Sequence, residues 1–306
     1  MSTRGSMLIA GDDTHTGFDA VQLALQDGAV LSAAVRPRGP FSLRLSSRLA
    51  GDATRTFAGG PLLAALAAGG IGRAWQQPDG VIQLRAPDEP GLEELRFVLA
   101  LDDDHSEFLE RFREDPLLRR ALPGLRGYRP LRVPTVTHAL LRAVCGQLIQ
   151  AKRARAIERS VIRAATPQLP GTRLYAPPGP QAFARLSPVE LRRLGLGGRR
   201  GASLVRLCRS LDLERLRSLP TAAAADRLQR ERGLGPWSVG VICLEGLGRF
   251  ERGLVGDLGL IKLLSPAGSR RVDASETAAL LEPYGEWAGL ASVYLIAGLG
   301  RGLVAA

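Results

Sequence analysis

The chain has 306 residues, of which 45% are hydrophobic and 23% charged, and a formal net charge of +11. That length and composition accommodate one large or two moderate cores, with two domains expected. The excess of positive charge favours a polyanionic partner, nucleic acid foremost.

From Gly17 to Asp102 the chain reads as short alternating stretches separated by Gly, Pro and Asp. Phe18 to Leu25, Val30 to Val35, Phe41 to Leu49, Val81 to Leu84 and Leu95 to Leu101 are predicted as antiparallel strands, and the Leu- and Ala-rich run Pro61 to Gly69 as a helix between them. Helical structure is expected to begin at Ser106 to Arg113, with Leu122 to Pro134 as a connection. The fold class expected is α+β: an N-terminal antiparallel-sheet module over 1–125, then a mostly helical, two-lobed body over 126–306.

From Thr135 the apolar residues recur at the helical period. Leu141, Val144, Cys145, Leu148 and Ile149 share one face, which predicts a buried amphipathic helix. Ala151 to Ala165 follows as a helix with Lys152, Arg153 and Arg155 on its outer side. After the Pro- and Gly-rich loop Gly171 to Pro180, Ser187 and Pro188 mark a helix start. Arg199 and Arg200 lie in a basic turn ahead of a helix over Ala202 to Leu211; they suit phosphate contact or simply solubility. Leu213 to Leu219 and Ala222 to Arg232 lead to the stretch around which the chain is organised.

That stretch is Gly233-Leu234-Gly235-Pro236-Trp237-Ser238. Glycines allow the positive φ of a tight reversal between helices, and Pro236 suits the first position of a new helix. Trp237, Val241, Leu244 and Leu247 give that helix an inward face. A hairpin near 221–248 results, and free backbone amides at its turn favour an anion. Asp257, between Gly256 and the apolar run Leu258 to Ile261, caps a further helix.

Gly-Leu-Gly-Pro-Trp-Ser followed about twenty residues on by Gly-Asp-Leu-Gly-Leu resembles the helix-hairpin-helix DNA glycosylases, specifically the 3-methyladenine DNA glycosylase II branch. The resemblance covers most of Leu95 to Gly302 in order, and the sheet module resembles the N-terminal domain of that branch. It implies a monomeric base-excision repair enzyme acting on damaged double-stranded DNA, with Asp257 as the catalytic acid. The hairpin residues Gly233, Leu234, Gly235 and Ser238 would hold the DNA backbone, with a monovalent cation on the backbone of Gly233 and Gly235. Gln147 and Leu148 match the pair that fills the gap left by an extruded base, although periodicity alone makes Leu148 a core residue. Trp237 and Trp287 match pocket aromatics, though a core role is open for both. The family's pocket tyrosines are replaced by Val241 and Leu258, which leaves the preferred lesion open.

Position 237, which carries the lysine nucleophile in strand-cleaving relatives, is Trp here, so a monofunctional glycosylase without lyase activity is expected. The alternative is a lesion- or structure-recognising DNA-binding protein that has lost catalysis. Cys145, Cys208 and Cys243 are too far apart for an iron–sulfur cluster, and His15, His105 and His138 have no ligand spacing, so no side-chain metal site is expected. No apolar run reaches membrane-span length, and Asp12 and Asp13 do not fit a signal peptide, so a soluble, cytoplasmic, nucleoid-associated protein is expected.

Overall fold

The structure is a computed structural model that describes residues 30–48, 50–57, 60–147, 149–265 and 270–304. Among the described residues, five antiparallel strands, β1 (Leu31–Val35), β2 (Arg55–Phe57), β3 (Leu62–Ala65), β4 (Ile71–Gln76) and β5 (Ile82–Ala86), form one sheet in the order β1-β5-β4-β3-β2. Helices follow and dominate the rest of the described chain, as the α+β expectation requires.

Three sequence expectations in this region are corrected. Pro61 to Gly69 forms no helix: Leu62 to Ala65 is β3, buried along its whole length and paired with β4 through Leu62–Ala74 and Ala65–Ile71. The apolar run is too short for a stable helix, and Gly69 and Gly70, with φ of +107° and +80°, close a tight hairpin behind it. Phe41 to Leu49 contains a short helix, α1 (Leu43–Ser47), whose start is set by the Ser42 hydroxyl accepting from the Leu45 N–H. Leu95 to Leu101 belongs largely to α2 (Glu89–Val98), capped by the Asp88 carboxylate accepting from the Gly91 N–H. The signal missed there is Asp-Glu-Pro, an N-cap with Pro in the first turn. The strand expected at Phe18 to Leu25 lies outside the described residues.

Helices α3 (Ser106–Arg111) and α4 (Leu122–Leu125) precede the helical body in sequence but pack within its C-terminal half. Phe108, Leu122 and Leu125 share a core with Leu281, Leu290 and Tyr294. A second core forms under α5 (Val136–Gly146), α6 (Ala151–Ala165), α7 (Pro180–Ala184), α8 (Pro188–Arg193) and α9 (Gly198–Ser210). The same core takes in α10 (Thr221–Gln229) and α11 (Pro236–Val241). The last three helices, α12 (Leu258–Leu264), α13 (Ala274–Leu281) and α14 (Ala288–Leu299), complete the C-terminal lobe. A cleft opens between these two helical lobes.

Helix α5 is buried on all sides from Val136 to Cys145, not on one face, and it ends at Gly146. Its start is held by Glu214, whose two carboxylate oxygens accept from the Val136 and Thr137 N–H groups at 2.9 and 3.0 Å. Helix α11 continues as a π-helical stretch, Ile242–Leu247, and stops at Gly248 with φ of +69°. Gly246 lets this stretch approach α5 closely, since a Cβ there would lie 2.7 Å from that of Ala139. The sheet module meets the body below the cleft, where Asp52 bonds to Arg142 and the Tyr175 N–H donates to Ala53 O.

Candidate active site

The hairpin is built as its sequence dictates. Gly233 has φ of +95°, and a Cβ on it would lie 2.6 Å from the Ser203 hydroxyl, so only glycine fits without a shift. Gly235 differs from expectation: its φ is −90°, and it serves as the N-cap of α11 with no side chain to satisfy the first turn. A Cβ on Gly235 would meet nothing within 4 Å, so this backbone faces open space. Leu234 turns its side chain into the core.

Asp257 caps α12. Its Oδ1 accepts from the Gly259 N–H at 2.7 Å and its Oδ2 from the Trp237 indole N–H at 2.8 Å. Both oxygens are thus oriented, one by the backbone of its own helix and the other by the hairpin helix. The Trp237 ring lies against the end of α5: a Cβ on Gly146 would approach its Cη2 to 2.5 Å. Gln147 follows, and its amide donates to Gly233 O at 2.8 Å and to the Ser238 hydroxyl at 3.0 Å. Ser238 is buried, so its hydroxyl fixes Gln147 from inside the hairpin. Arg200 is half-buried and donates to the carbonyls of Cys145 and Gln147, which ties the same turn from the other side. Arg199 is exposed at the start of α9. Leu148 lies outside the described residues.

These parts surround a cavity of about 960 Å³ lined by Gln147, Gly233, Leu234, Gly235, Trp237, Ser238, Val241, Asp257 and Leu258, with Ile261, Lys262 and Ile296 completing its apolar wall and rim. Trp237 and Val241 lie one helical turn apart and both line it, while Leu258 is 48% exposed beside Asp257. Trp287 does not line it, which corrects its expected place in the pocket. It packs against Phe250 and Phe108 at ring separations of 6.2 and 5.9 Å in the C-terminal core. The reason is its position: Trp287 caps the start of α14, whereas Ile296, nine residues further on and about 13 Å along the helix, reaches the cavity.

Sequence reasoning missed the inner end of the cleft, where Arg142, Arg155, Glu158 and Glu245 also line the cavity. Arg142 is buried and places its three guanidinium nitrogens on three carboxylates: Nε on Glu158 at 2.9 Å, Nη2 on Asp52 at 2.7 Å, and Nη1 on Glu245. Arg155, expected on the outer side of α6, turns in and donates to the second oxygen of Glu158 at 3.0 Å. His138 bonds Glu158 through Nε2 at 2.9 Å, and Arg55 pairs with Asp52 at 3.3 Å. Burial opposes ionisation of Glu158, but the charges of Arg142 and Arg155 outweigh it and hold the carboxyl well below its ordinary range. Burial likewise opposes the charged form of Arg142, and Glu158, Glu245 and Asp52 reverse the effect. Asp52, His138 and Glu158 lie close enough for a shared metal ion, yet their carboxylates already neutralise guanidinium groups, so a cation would compete with Arg142 for them. A visible signal existed: Arg142 and Glu245 each interrupt an otherwise apolar helical run.

No family model matches the sequence. The chain is 27% identical over 206 residues, 64% of its own length and 67% of the other's, to a DNA-3-methyladenine glycosylase of Bacillus subtilis (strain 168). Its fold is similar to that of a 3-methyladenine DNA glycosylase from Archaeoglobus fulgidus, with a TM-score of 0.75 and 17% identity over 88% of this chain and 98% of that one. It is similar also to an 8-oxoguanine glycosylase/lyase of Clostridium acetobutylicum solved with double-stranded DNA, with a TM-score of 0.74 and 16% identity over 90% and 99% of the two chains. The architecture and the hairpin are those of a helix-hairpin-helix glycosylase fold. The sequence similarity to a DNA-3-methyladenine glycosylase agrees with that fold. Among the described residues no helix is long and apolar enough to cross a membrane.

Proposed function

We propose that this protein is a monofunctional DNA glycosylase that extrudes alkylated bases of the 3-methyladenine type from duplex DNA and hydrolyses their N-glycosidic bond. The observation that carries the reading is Asp257, held by Gly259 and Trp237 at the wall of a large apolar cleft next to the hairpin. Cleaving the bond builds positive charge on the sugar, which an oriented carboxylate stabilises; the same group then accepts a proton from the attacking water. Each Asp257 oxygen already takes one hydrogen bond and keeps a further lone pair for these roles. The products are the free base and an abasic site.

The hairpin supplies DNA-backbone contact. Open space above Gly235 admits a phosphate close to the first-turn amides of α11. Backbone carbonyls at Gly233 and Gly235 suit a hard monovalent cation, although Gly233 O already accepts from Gln147. Gln147, fixed on the hairpin, and the adjacent Leu148 would occupy the space an extruded base leaves. Trp237, Val241 and Leu258 offer that base an apolar slot, and the Trp237 ring attracts an electron-poor or cationic alkylated base. Trp at position 237 gives no Schiff base, which supports the absence of strand cleavage.

Trp237 is the one aromatic ring among the described residues lining the cavity, and this thin pocket favours the second reading, a DNA-binding protein without catalysis. Base release from duplexes carrying 3-methyladenine, 7-methylguanine, 1-methyladenine, hypoxanthine or uracil separates the two. Release of an alkylated base supports the enzyme; lesion binding with no release from any duplex supports the binding protein.

A further inference from the structure

Glu245 occupies the same helix face as Trp237 and Val241, at intervals of four residues, and all three line the cleft. The face continues inward because the chain passes into the π-helical stretch, a distortion that recurs at functional sites. Glu245 is therefore what a base stacked along Trp237 and Val241 meets at the inner end. Its side chain is 19% exposed, and the surface it exposes belongs to this cavity.

One of its two oxygens is engaged. Oε2 accepts from Arg142, whereas Oε1 has no hydrogen-bond partner among the described residues. Burial opposes ionisation of this carboxyl, but the charges of Arg142 and Arg155 and the bond from Arg142 outweigh it and keep it below its ordinary range. An ionised carboxylate accepts hydrogen bonds and donates none. The surrounding network balances the guanidinium groups of Arg55, Arg142 and Arg155 against Asp52, Glu158 and Glu245. The inner wall thus offers no excess of either charge to a ligand. It offers an oriented acceptor.

We propose that Glu245 determines base specificity: Oε1 accepts a hydrogen bond from an exocyclic amino group of the extruded base and disfavours a base that presents a carbonyl there. The proposal rests on the excision reading above and deepens it. Adenine-type lesions carry the amino group at the purine 6-position, and hypoxanthine-type lesions carry an oxygen. Two facing acceptors leave a buried carboxylate oxygen unpaired, which is the arrangement binding sites reject most strongly. Arg155 is the competing group, because its free donors suit a carbonyl and would give the opposite preference.

The test compares duplexes containing 3-methyladenine or 3-methylhypoxanthine, with wild type, Glu245→Gln and Arg155→Met. Equilibrium binding and single-turnover base release are both measured, and thermal melting establishes that each variant is folded. Wild type is expected to favour the amino base by about tenfold, the worth of one hydrogen bond to a charged group. In Glu245→Gln that ratio is expected to fall towards one, because the amide presents a donor as well as an acceptor. An equal ratio in wild type, a ratio unchanged in Glu245→Gln, or a carbonyl preference lost in Arg155→Met overturns the proposal. Amino-selective binding without release by wild type sinks the excision reading while Glu245 keeps its role. If Glu245→Gln fails to fold, loss of the amino preference in Glu245→Met serves the same purpose, and its persistence there overturns the proposal.

Discussion

Trp237→Phe removes one hydrogen bond from Asp257 and retains a ring in the slot beside Gly146. The lost bond is the 2.8 Å contact from the indole N–H to Oδ2; Oδ1 keeps its contact with Gly259. A hydrogen bond to a charged acceptor contributes about 1.5–3 kcal/mol. Asp257 is half-buried, so water takes up part of the loss, and the lower figure applies. Released from Trp237, the carboxylate samples rotamers turned away from the place the proposed reaction gives the anomeric carbon, and about 1.5 kcal/mol in the barrier would slow the step by roughly tenfold. The assay is single-turnover release of 3-methyladenine at saturating enzyme, alongside binding to an abasic-site duplex. A rate loss of about tenfold with nearly unchanged binding is expected. A companion variant, Gly146→Ala, pushes the ring from the other side, because its Cβ would lie 2.5 Å from Cη2, and it should lower the rate as well. A Trp237→Phe rate within about twofold of wild type would refute the idea that the indole holds the carboxylate in its working orientation.

Other expectations address the hairpin, the ion network and the outcome of the chemistry. Gly235→Ala should leave the melting temperature unchanged, since its backbone and surroundings tolerate a Cβ, yet weaken duplex binding several-fold by blocking phosphate approach; unchanged binding would remove the hairpin from the interface. Glu158→Gln leaves Arg142 short of a buried partner and should lower stability by about 3–5 kcal/mol in denaturant unfolding. Asp52, Glu158 and Glu245 are all held below their ordinary values of 3.8, 4.5 and 4.5, because their guanidinium partners outweigh burial. Their contribution is therefore complete above about pH 5 and is lost as pH falls below those values through the folded-state pKa. Glu158→Gln should flatten that acid limb; an acid limb identical to wild type would exclude Glu158 as its source. Borohydride should trap no covalent complex on DNA with wild type or Trp237→Lys. Trapping of wild type that disappears in Lys262→Ala would name the amine that lines the cleft as a nucleophile and overturn the monofunctional reading.

The parts legible from sequence are those whose physics is local. Gly233, Pro236 and the cap at Asp257 declare a reversal, a helix start and a second helix start within one short stretch, and the structure forms all three. The sheet module was harder because tertiary burial overrides propensity: Leu62 to Ala65 has helix-forming residues but is buried between neighbouring strands. For Trp287, a motif match gives position in the chain, whereas the distance along α14 decides whether a side chain reaches the cleft. The ion network is non-local. Asp52 and Arg142 are 90 residues apart and Arg142 and Glu245 are 103 apart, so in the sequence Arg142 and Glu245 look like unpaired exceptions in apolar runs and Asp52 like an ordinary loop acid. Only the packing of α5 against α6, the π-helical stretch and the Asp52 loop shows that these exceptions satisfy one another.

Asp257→Asn tests most directly whether Asp257 breaks the glycosidic bond, as proposed. The amide retains the size of the side chain, but its one oxygen can accept from only one of Gly259 and Trp237, it carries no charge to stabilise the sugar cation and it accepts no proton from water. Single-turnover release of 3-methyladenine should collapse by at least about a hundredfold while binding to the same duplex persists. Release at the wild-type rate, with binding intact, would show that the bond is broken without Asp257 and would contradict the account.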